Sequence, residues 1–536
     1  MNDVPMNDDL PTATTSRAGA RQWLGLALLL LPVTLMTADL GVLWLATPYL
    51  TADLLPSGTE VLWITDIYGL LTAGTLVIMG TLGDRVGRRR LLLIGSAGFV
   101  VASVVAAYAQ DPGTLIAARA VLGVAGAAVL PSTLSLISHM FTDPRQRATA
   151  IAMWVTALST GLAAGPIVGG VLLERWWWGS VFLIGVPVML PVLLAAPVLL
   201  PEYRDPRPGR LDLPSVALFL TAVLPLVYAV KKIAEHGPNG PAALSAAVGA
   251  AAVTAFVRRQ NRLAQPLLDL ALFRRREFTG ALLVLLLGMT ALNGVEYLVP
   301  QYLQAVGGLS PLEAGLWLVP GAAGLVAGSQ LTPPLARRTR PAWVLVAGLA
   351  VSLAGYAVLM VATGVVATSL ALTVVMFGVA PISVLGTTLA VGAAPAPKAG
   401  AAAATGQTAY DLGLALGIAV TGSLAAAVYR DRMPDDAPAG ARDTVGAALA
   451  AARRLTDPDR AAALADTARA AFTSGLQTAA AASAVLAVAT AVLAGWLLRH
   501  VPPISAAEKE AAEEVTAADG DQVPAPTPAP TPTRTP

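Results

Sequence analysis

Five ionisable side chains stand inside long apolar stretches of this sequence. Asp39 lies in MTADLGVLW, Asp66 in WITDIY, Arg119 in LIAARAVLG, Glu296 in NGVEYLVPQYL and Asp411 in TAYDLG. Moving such a group into hydrocarbon costs about 2.5–3.5 kcal/mol on insertion scales, so each marks a candidate functional site. A desolvated carboxylate holds a proton more readily than a solvated one and can exchange it for a cation. Seven aromatic residues stand near these groups: Trp44, Trp63, Tyr68, Tyr297, Tyr302, Trp317 and Tyr410. Their faces suit a cation or a flat apolar molecule; lipid-interface or core packing is the plainer reading of each. Other chemistries lack their parts. There is no cysteine, and the three histidines, His139, His236 and His500, are far apart, which argues against a metal site. No G-x-x-x-x-G-K-[ST] phosphate loop is present, and no His, Ser or Cys constellation suggests an enzyme. The expectation is a secondary active transporter that uses no cofactor and is driven by the proton gradient.

The elements holding these residues are spanning helices. The chain has 536 residues, 55% of them hydrophobic and 13% charged, with mean hydropathy +0.66. A soluble domain carries about 25% charged residues, so the bilayer is the expected solvent. A net charge of +2 suggests no nucleic-acid partner. Windows of about 20 apolar residues give fourteen spans, near 23–50, 61–80, 91–109, 114–138, 148–172, 178–200, 214–231, 241–257, 278–305, 312–335, 342–361, 366–394, 399–429 and 474–499. The gaps after the even-numbered spans hold Arg85, Arg88, Arg89 and Arg90, then Arg145 and Arg147, and later Arg274, Arg275, Arg276, Arg337, Arg338, Arg340 and Lys398. The short gaps TADLLPSGTE, QDPG and GGLSP hold no Lys or Arg. Excess positive charge stays cytoplasmic, which predicts a multi-pass plasma-membrane protein with both termini inside. Lys231 and Lys232, at the end of span seven, are the exception.

The predicted domains follow. Residues 1–22 form a cytoplasmic segment and 23–200 a six-helix bundle. Residues 201–277 hold two inserted helices and a basic loop. Residues 278–499 form a second six-helix bundle, with an outer helical hairpin at about 430–473 whose arms open on Asp443 and Asp457. Residues 500–536, acidic and then rich in Pro and Thr, read as a disordered tail. The two bundles repeat. TALSTGLAAGPIVGG, from Thr156, aligns with TAYDLGLALGIAVTG, from Thr408; GVAGAAVLPSTL aligns with GVAPISVLGTTL, and LGDRVGRRR with LARRTR. All three offsets preserve orientation, the pattern of parallel repeats about an axis along the membrane normal.

GTLGDRVGRRR, from Gly80, resembles the signature after helix two of the major facilitator superfamily, Gly-x-Leu-x-Asp-Arg-x-Gly-Arg-Arg. LIAARAVLGVAGAA resembles its helix-four signature around Arg119, and GLAAGPIVGG the helix-five signature of drug:proton antiporters. RLDLPS and the extra helix pair resemble the fourteen-helix branch; LWITDIY, PSTLSLI and YDLGLALG are most similar to its quaternary-ammonium and dye efflux pumps. The resemblance implies an all-α polytopic fold of two six-helix bundles plus two inserted helices, working as a monomer. It implies proton-coupled export of lipophilic, cationic drugs or dyes, or of one natural product giving self-resistance to its producer. It implies a cavity lined by spans one, four, nine and twelve, which places Asp39, Arg119 and Glu296 in it, with Asp66 and Asp411 as further proton or cation sites. Glu296 could instead be satisfied by a pair with Asn293 or with another helix, and Asp66 could be a vestibule charge or a solvated interfacial one. The resembled pumps often have an acidic residue about four before Asp411; here Gln407 stands, a missing carboxylate that bears on dication transport and on the proton count. Gly80, Asp84, Arg85, Gly87 and Arg88 would clamp the halves on the cytoplasmic side when the transporter is open outward, with Gly80 and Gly87 letting the backbone turn tightly, or simply anchor the loop. Gly161, Gly165, Gly169 and Gly170 let helices touch, and Pro166 kinks the span; in the family this run goes with export.

Overall fold

A computed structural model describes residues 18–204, 212–263, 266, 268, 270–395, 398–438 and 440–503. The first half contains α1 (Ala20–Leu54), α2 (Gly58–Val86), α3 (Arg88–Ala107), α4 (Pro112–Met140), α5 (Pro144–Arg175) and a sixth span made of α6 (Ser180–Leu183) and α7 (Gly185–Leu199). The inserted pair is α8 (Leu213–His236) and α9 (Gly240–Gln260). The second half contains α10 (Arg276–Ala305), α11 (Pro311–Arg338), α12 (Pro341–Leu359), α13 (Val365–Gly392), α14 (Ala399–Gly417) running into α15 (Ser423–Arg432), α16 (Val445–Arg454) and α17 (Pro458–Leu497). Among the described residues, thirteen helices are long and apolar enough to cross a membrane, and α2, bent by 56°, makes up to fourteen. The predicted tail and the first 17 residues lie outside the described residues, apart from the tail's start at 500–503.

Caps set the starts. Ser57 and Glu60 form a reciprocal capping box at α2, and Ser310 and Glu313 form another at α11, the corresponding span of the second half. The outer hairpin differs from expectation. Its first arm, α16, is capped by Thr444, not Asp443. Its second arm is no separate element: after the Asp457 cap, α17 continues for 40 residues, because no proline interrupts it after Pro458.

Both described chain ends lie on one face, the terminal face. There Gly25 of α1 packs on Met140 and Leu200, Gly280 of α10 packs on Leu497 and Leu498, and Arg340 donates to the Arg499 carbonyl at 3.1 Å. The inserted helices are clasped on this side by Arg259 to Asp212 at 2.6 Å. Burial works against the charged Asp212, but bonds from Ser215 and Arg259 outweigh it and hold the carboxyl below its ordinary value.

The aligned repeat is also a packing repeat. A Cβ on Gly161 would meet the Thr34 carbonyl oxygen of α1 at 2.2 Å, and one on Gly165 the Ala38 oxygen at 2.7 Å. At the matching positions, a Cβ on Gly413 would meet the Leu286 oxygen of α10 at 2.6 Å, and one on Gly417 the Thr290 oxygen at 2.9 Å. Each fifth span is thereby pressed on the first span of its own half. Gly170 and Gly422, also matched, touch the other half, at Leu312 and Leu62. The halves meet further where Gly315 abuts Pro166, where Gln304 donates to the Leu45 carbonyl at 3.0 Å, and where Gly446 of α16 abuts Pro48. These contacts belong to the face opposite the termini, which is closed.

A methyl group on Gly315 would stand 2.4 Å from the Pro166 carbonyl oxygen, across the seam. Gly315→Ala is expected to weaken this closure by about 1–3 kcal/mol. In this cysteine-free chain, spin labels at the opposite-face ends of α5 and α11 should then show a larger population of long distances; an unchanged distribution would refute the assignment.

Candidate functional site

Arg119 is fully buried on α4 and reaches across to α1 and α2. Its Nη1 is 2.5 Å from Asp39 Oδ2, and its Nε donates to the Ile64 carbonyl at 3.2 Å. Its guanidinium lies 4.7 Å from the centre of the Tyr68 ring. The Asp39 side chain keeps 9% exposure while that of Arg119 keeps none, so the carboxylate is the member of the pair that solvent can reach. Small residues allow the approach: a Cβ on Gly123 would fall 2.4 Å from the Tyr68 carbonyl oxygen.

A second buried pair joins α2 to the insertion. Lys231 Nζ is 2.8 Å from Asp66 Oδ2, with both side chains fully buried. Asp66 is thus neither a solvated interfacial charge nor an open vestibule group. Lys231 also donates to the Leu62 carbonyl at 2.8 Å and lies 4.2 Å from the centre of the Trp63 ring. The apparent exception to the loop-charge rule is a helix residue with a buried partner.

The second half supplies carboxylates without a basic partner among the described residues. Asp411 accepts a hydrogen bond from Gln407 Nε2 at 2.9 Å, and Gln407 is exposed. Glu296, half-buried on α10, does not pair with Asn293, whose Nδ2 donates to the Leu414 carbonyl at 2.6 Å. Tyr68 lies within electrostatic reach of Asp39, Arg119 and Asp411, and Tyr410 within reach of Asp411 and Glu296. Tyr68, beside Arg119, thus stands near carboxylates of both halves, and Tyr410 near the two of the second half. Trp44 is buried in the core, and Tyr302 is buried with its hydroxyl bonded to the Gly364 amide at 3.0 Å. Trp317 is half-buried, its carbonyl bonded by Ser369.

Residues 29–418 match the family model of the Major Facilitator Superfamily. The chain belongs to that superfamily. It is 43% identical over 500 residues to the Multidrug efflux pump LfrA of Mycolicibacterium smegmatis, covering 91% of this chain and 99% of that one. It is 32% identical over 421 residues to the Tetracenomycin C resistance and export protein of Streptomyces glaucescens, covering 77% and 78%. A bacterial homologue of the human lysosomal transporter Spinster, solved in an inward-facing and unoccupied conformation, shares the fold at TM-score 0.64 and 17% identity, over 90% of this chain and 98% of that one. The chain is thus a major facilitator transporter rather than an enzyme, and a multi-pass membrane protein.

The superfamily's loop after α2 is held within its own half in this structure. Asp84 pairs with Arg88 at 2.6 Å, the Arg89 amide donates to Glu202 at 3.1 Å, and the Arg88 amide donates to the Tyr203 carbonyl at 2.9 Å. Gly87 has φ of +114° and a Cβ there would meet Glu202 at 2.4 Å, so glycine is required. Gly80 makes no turn: it lies inside α2 with open space beside it. Arg85 also has a partner. Sequence reasoning missed Lys231 and Glu202 as members of these clusters. The signal for Lys231 was its breach of the charge pattern.

Arg119→Leu strands Asp39 in apolar surroundings, with an expected cost of about 3–5 kcal/mol. Thermal unfolding of the purified protein should show a clear loss, and the double variant Asp39→Asn/Arg119→Gln should recover part of it. Losses that merely add would mean that the two charges are not coupled.

Proposed function

We propose that this chain is a proton-coupled antiporter that exports lipophilic cations across the plasma membrane as a monomer, without a cofactor. The observation that carries the reading is the placing of Tyr68 near Asp39 and Asp411, and of Tyr410 near Asp411 and Glu296. A single carboxylate holds a cation or a proton but not both at once, and tyrosine faces add affinity for a flat cation. The 43% identity to a protein named a multidrug efflux pump supports the same reading.

The arginine-rich loops of the terminal face make it the cytoplasmic side. The closed opposite face is then the outer one. A cation entering from the cytoplasm displaces a proton from the carboxylate group. The outer seam opens where Gly170 meets Leu312 and Gly315 meets Pro166. A proton from outside then displaces the cation. Exchanging one proton for one monovalent cation moves no net charge and uses only the pH difference, worth about 1.36 kcal/mol per unit. A second proton would add about 2.3 kcal/mol per 100 mV of membrane potential. Asp411 and Glu296, lacking basic partners among the described residues, are the groups able to take it.

A second reading, a dedicated natural-product exporter conferring self-resistance, is favoured by the 32% identity to a tetracenomycin C export protein. Ethidium efflux from energised cells separates the two. Wild type should pump ethidium, an uncoupler should stop it, and Asp39→Asn at equal membrane abundance should abolish it. Absence of ethidium efflux by wild type would favour the dedicated exporter. Full efflux by Asp39→Asn would move coupling to Glu296 and Asp411, testable with Glu296→Gln and Asp411→Asn.

A further inference from the structure

Leu62, Trp63 and Asp66 lie close together along α2 and form a seat for a cation. Its occupant is the ammonium group of Lys231, 2.8 Å from the Asp66 carboxylate, 2.8 Å from the Leu62 carbonyl oxygen and 4.2 Å from the centre of the Trp63 ring. A carboxylate, a carbonyl oxygen and an aromatic face around one positive group are also what an organic monocation requires. The occupant is supplied by α8, an inserted helix that belongs to neither six-helix half.

The seat lies on the seam that closes the outer face. Lys231 lines a small cavity with Gly58, Thr59 and Leu62 of α2 and with Ser423, Ala426 and Arg430 of α15. Ser423 is 2% exposed, and its hydroxyl has no hydrogen-bond partner. Tyr297 of α10 is within electrostatic reach of Asp66. In this structure α15 of the second half covers the seat.

Resting on the reading of the chain as a cation exporter, we propose that this seat is an exit-side station for the transported cation, plugged by Lys231 while the outer face is closed. When α15 parts from α2, the four-carbon stem of Lys231 can swing its ammonium out to water without displacing α8. The departing cation then takes the place between Asp66 and Trp63. Two cations cannot share one carboxylate at this range without strong repulsion, so the return of Lys231 expels the cargo and reseals the seam. The inserted pair therefore supplies a tethered competitor for the substrate.

The chain contains no cysteine, so single thiols can report on the seat. Lys231→Cys and Ser423→Cys would be treated from outside the cell with the membrane-impermeant reagent methanethiosulfonate ethyltrimethylammonium. Both should react only in energised membranes. Ethidium outside, at ten times its dissociation constant, should slow the reaction about tenfold. Adding Asp66→Asn should abolish the protection but leave the reaction. Ser423→Cys keeps the Lys231–Asp66 pair intact, so it carries the test if Lys231→Cys does not accumulate. Reaction at the same rate with and without ethidium, in a chain whose wild type pumps ethidium, would overturn the seat and leave the export reading standing. No reaction from outside at either position would also overturn it. A wild type that pumps no ethidium would overturn the export reading, and the seat's occupant with it.

Discussion

A positive charge placed among apolar helices must be met by an acceptor, and α2 meets two of them. Arg119 reaches it from α4 and Lys231 from α8, and each spends a donor on an α2 carbonyl, Ile64 for one and Leu62 for the other. Each cation is then neutralised by a carboxylate, Asp39 on α1 and Asp66 on α2 itself. Removing any one partner would leave an uncompensated buried charge, which costs far more than the pair contributes. The positions of α1, α2, α4 and α8 are tied together by this requirement. The inserted helices are therefore fixed to the first half by a bond that hydrophobic packing alone would not specify.

The close helix approaches in this arrangement run along glycine. Carbonyl oxygens of α1 and α10 approach Gly161, Gly165, Gly413 and Gly417 so closely that no side chain fits. Contacts of this kind gain dispersion energy because small residues let the backbones approach closely. The cross-seam contacts at Gly170 and Gly315 have the same character, while Gly422 meets only the Leu62 side chain across the seam. The span carrying Gly422 adds a π-helical turn over Ile418–Gly422, where Gly294 of α10 comes up against Thr421. Such turns commonly mark functional sites within a helix.

The spans were legible because each is a long apolar run, and the two-bundle plan because one frame of small residues recurs in both halves. The same frame marked the helix contacts, since small residues at helical spacing have few other uses in a membrane. The matched capping boxes at Ser57–Glu60 and Ser310–Glu313 were equally visible and would have strengthened the repeat. What was not legible depends on pairing at a distance. Nothing local to Lys231 reveals Asp66 as its partner, and nothing local to Glu202 reveals that it supports the loop holding Gly87. The extension of α17 outward was readable from its unbroken alanine-rich sequence, but the acidic cap at Asp457 suggested a separate helix. Gly80 reads as a turn residue only when its helical surroundings are ignored.

The division of charge between the halves bears directly on mechanism. In the first half, both intramembrane carboxylates already have a cation: Asp39 has Arg119 and Asp66 has Lys231. In the second half, Asp411 has only an amide partner, and Glu296 has no hydrogen bond or ion pair among the described residues. A paired carboxylate exchanges its partner for a new cation only if the partner moves, so its occupancy is bound to conformation. An unpaired one titrates with the local proton supply whatever the conformation. Coupling requires both kinds. Groups that only titrate would leak protons, and groups locked in pairs would never release them. The repeat supplied two similar scaffolds with unequal charges; on the proposed reading of proton-coupled export, one would act as a conformational reader and the other as a proton store.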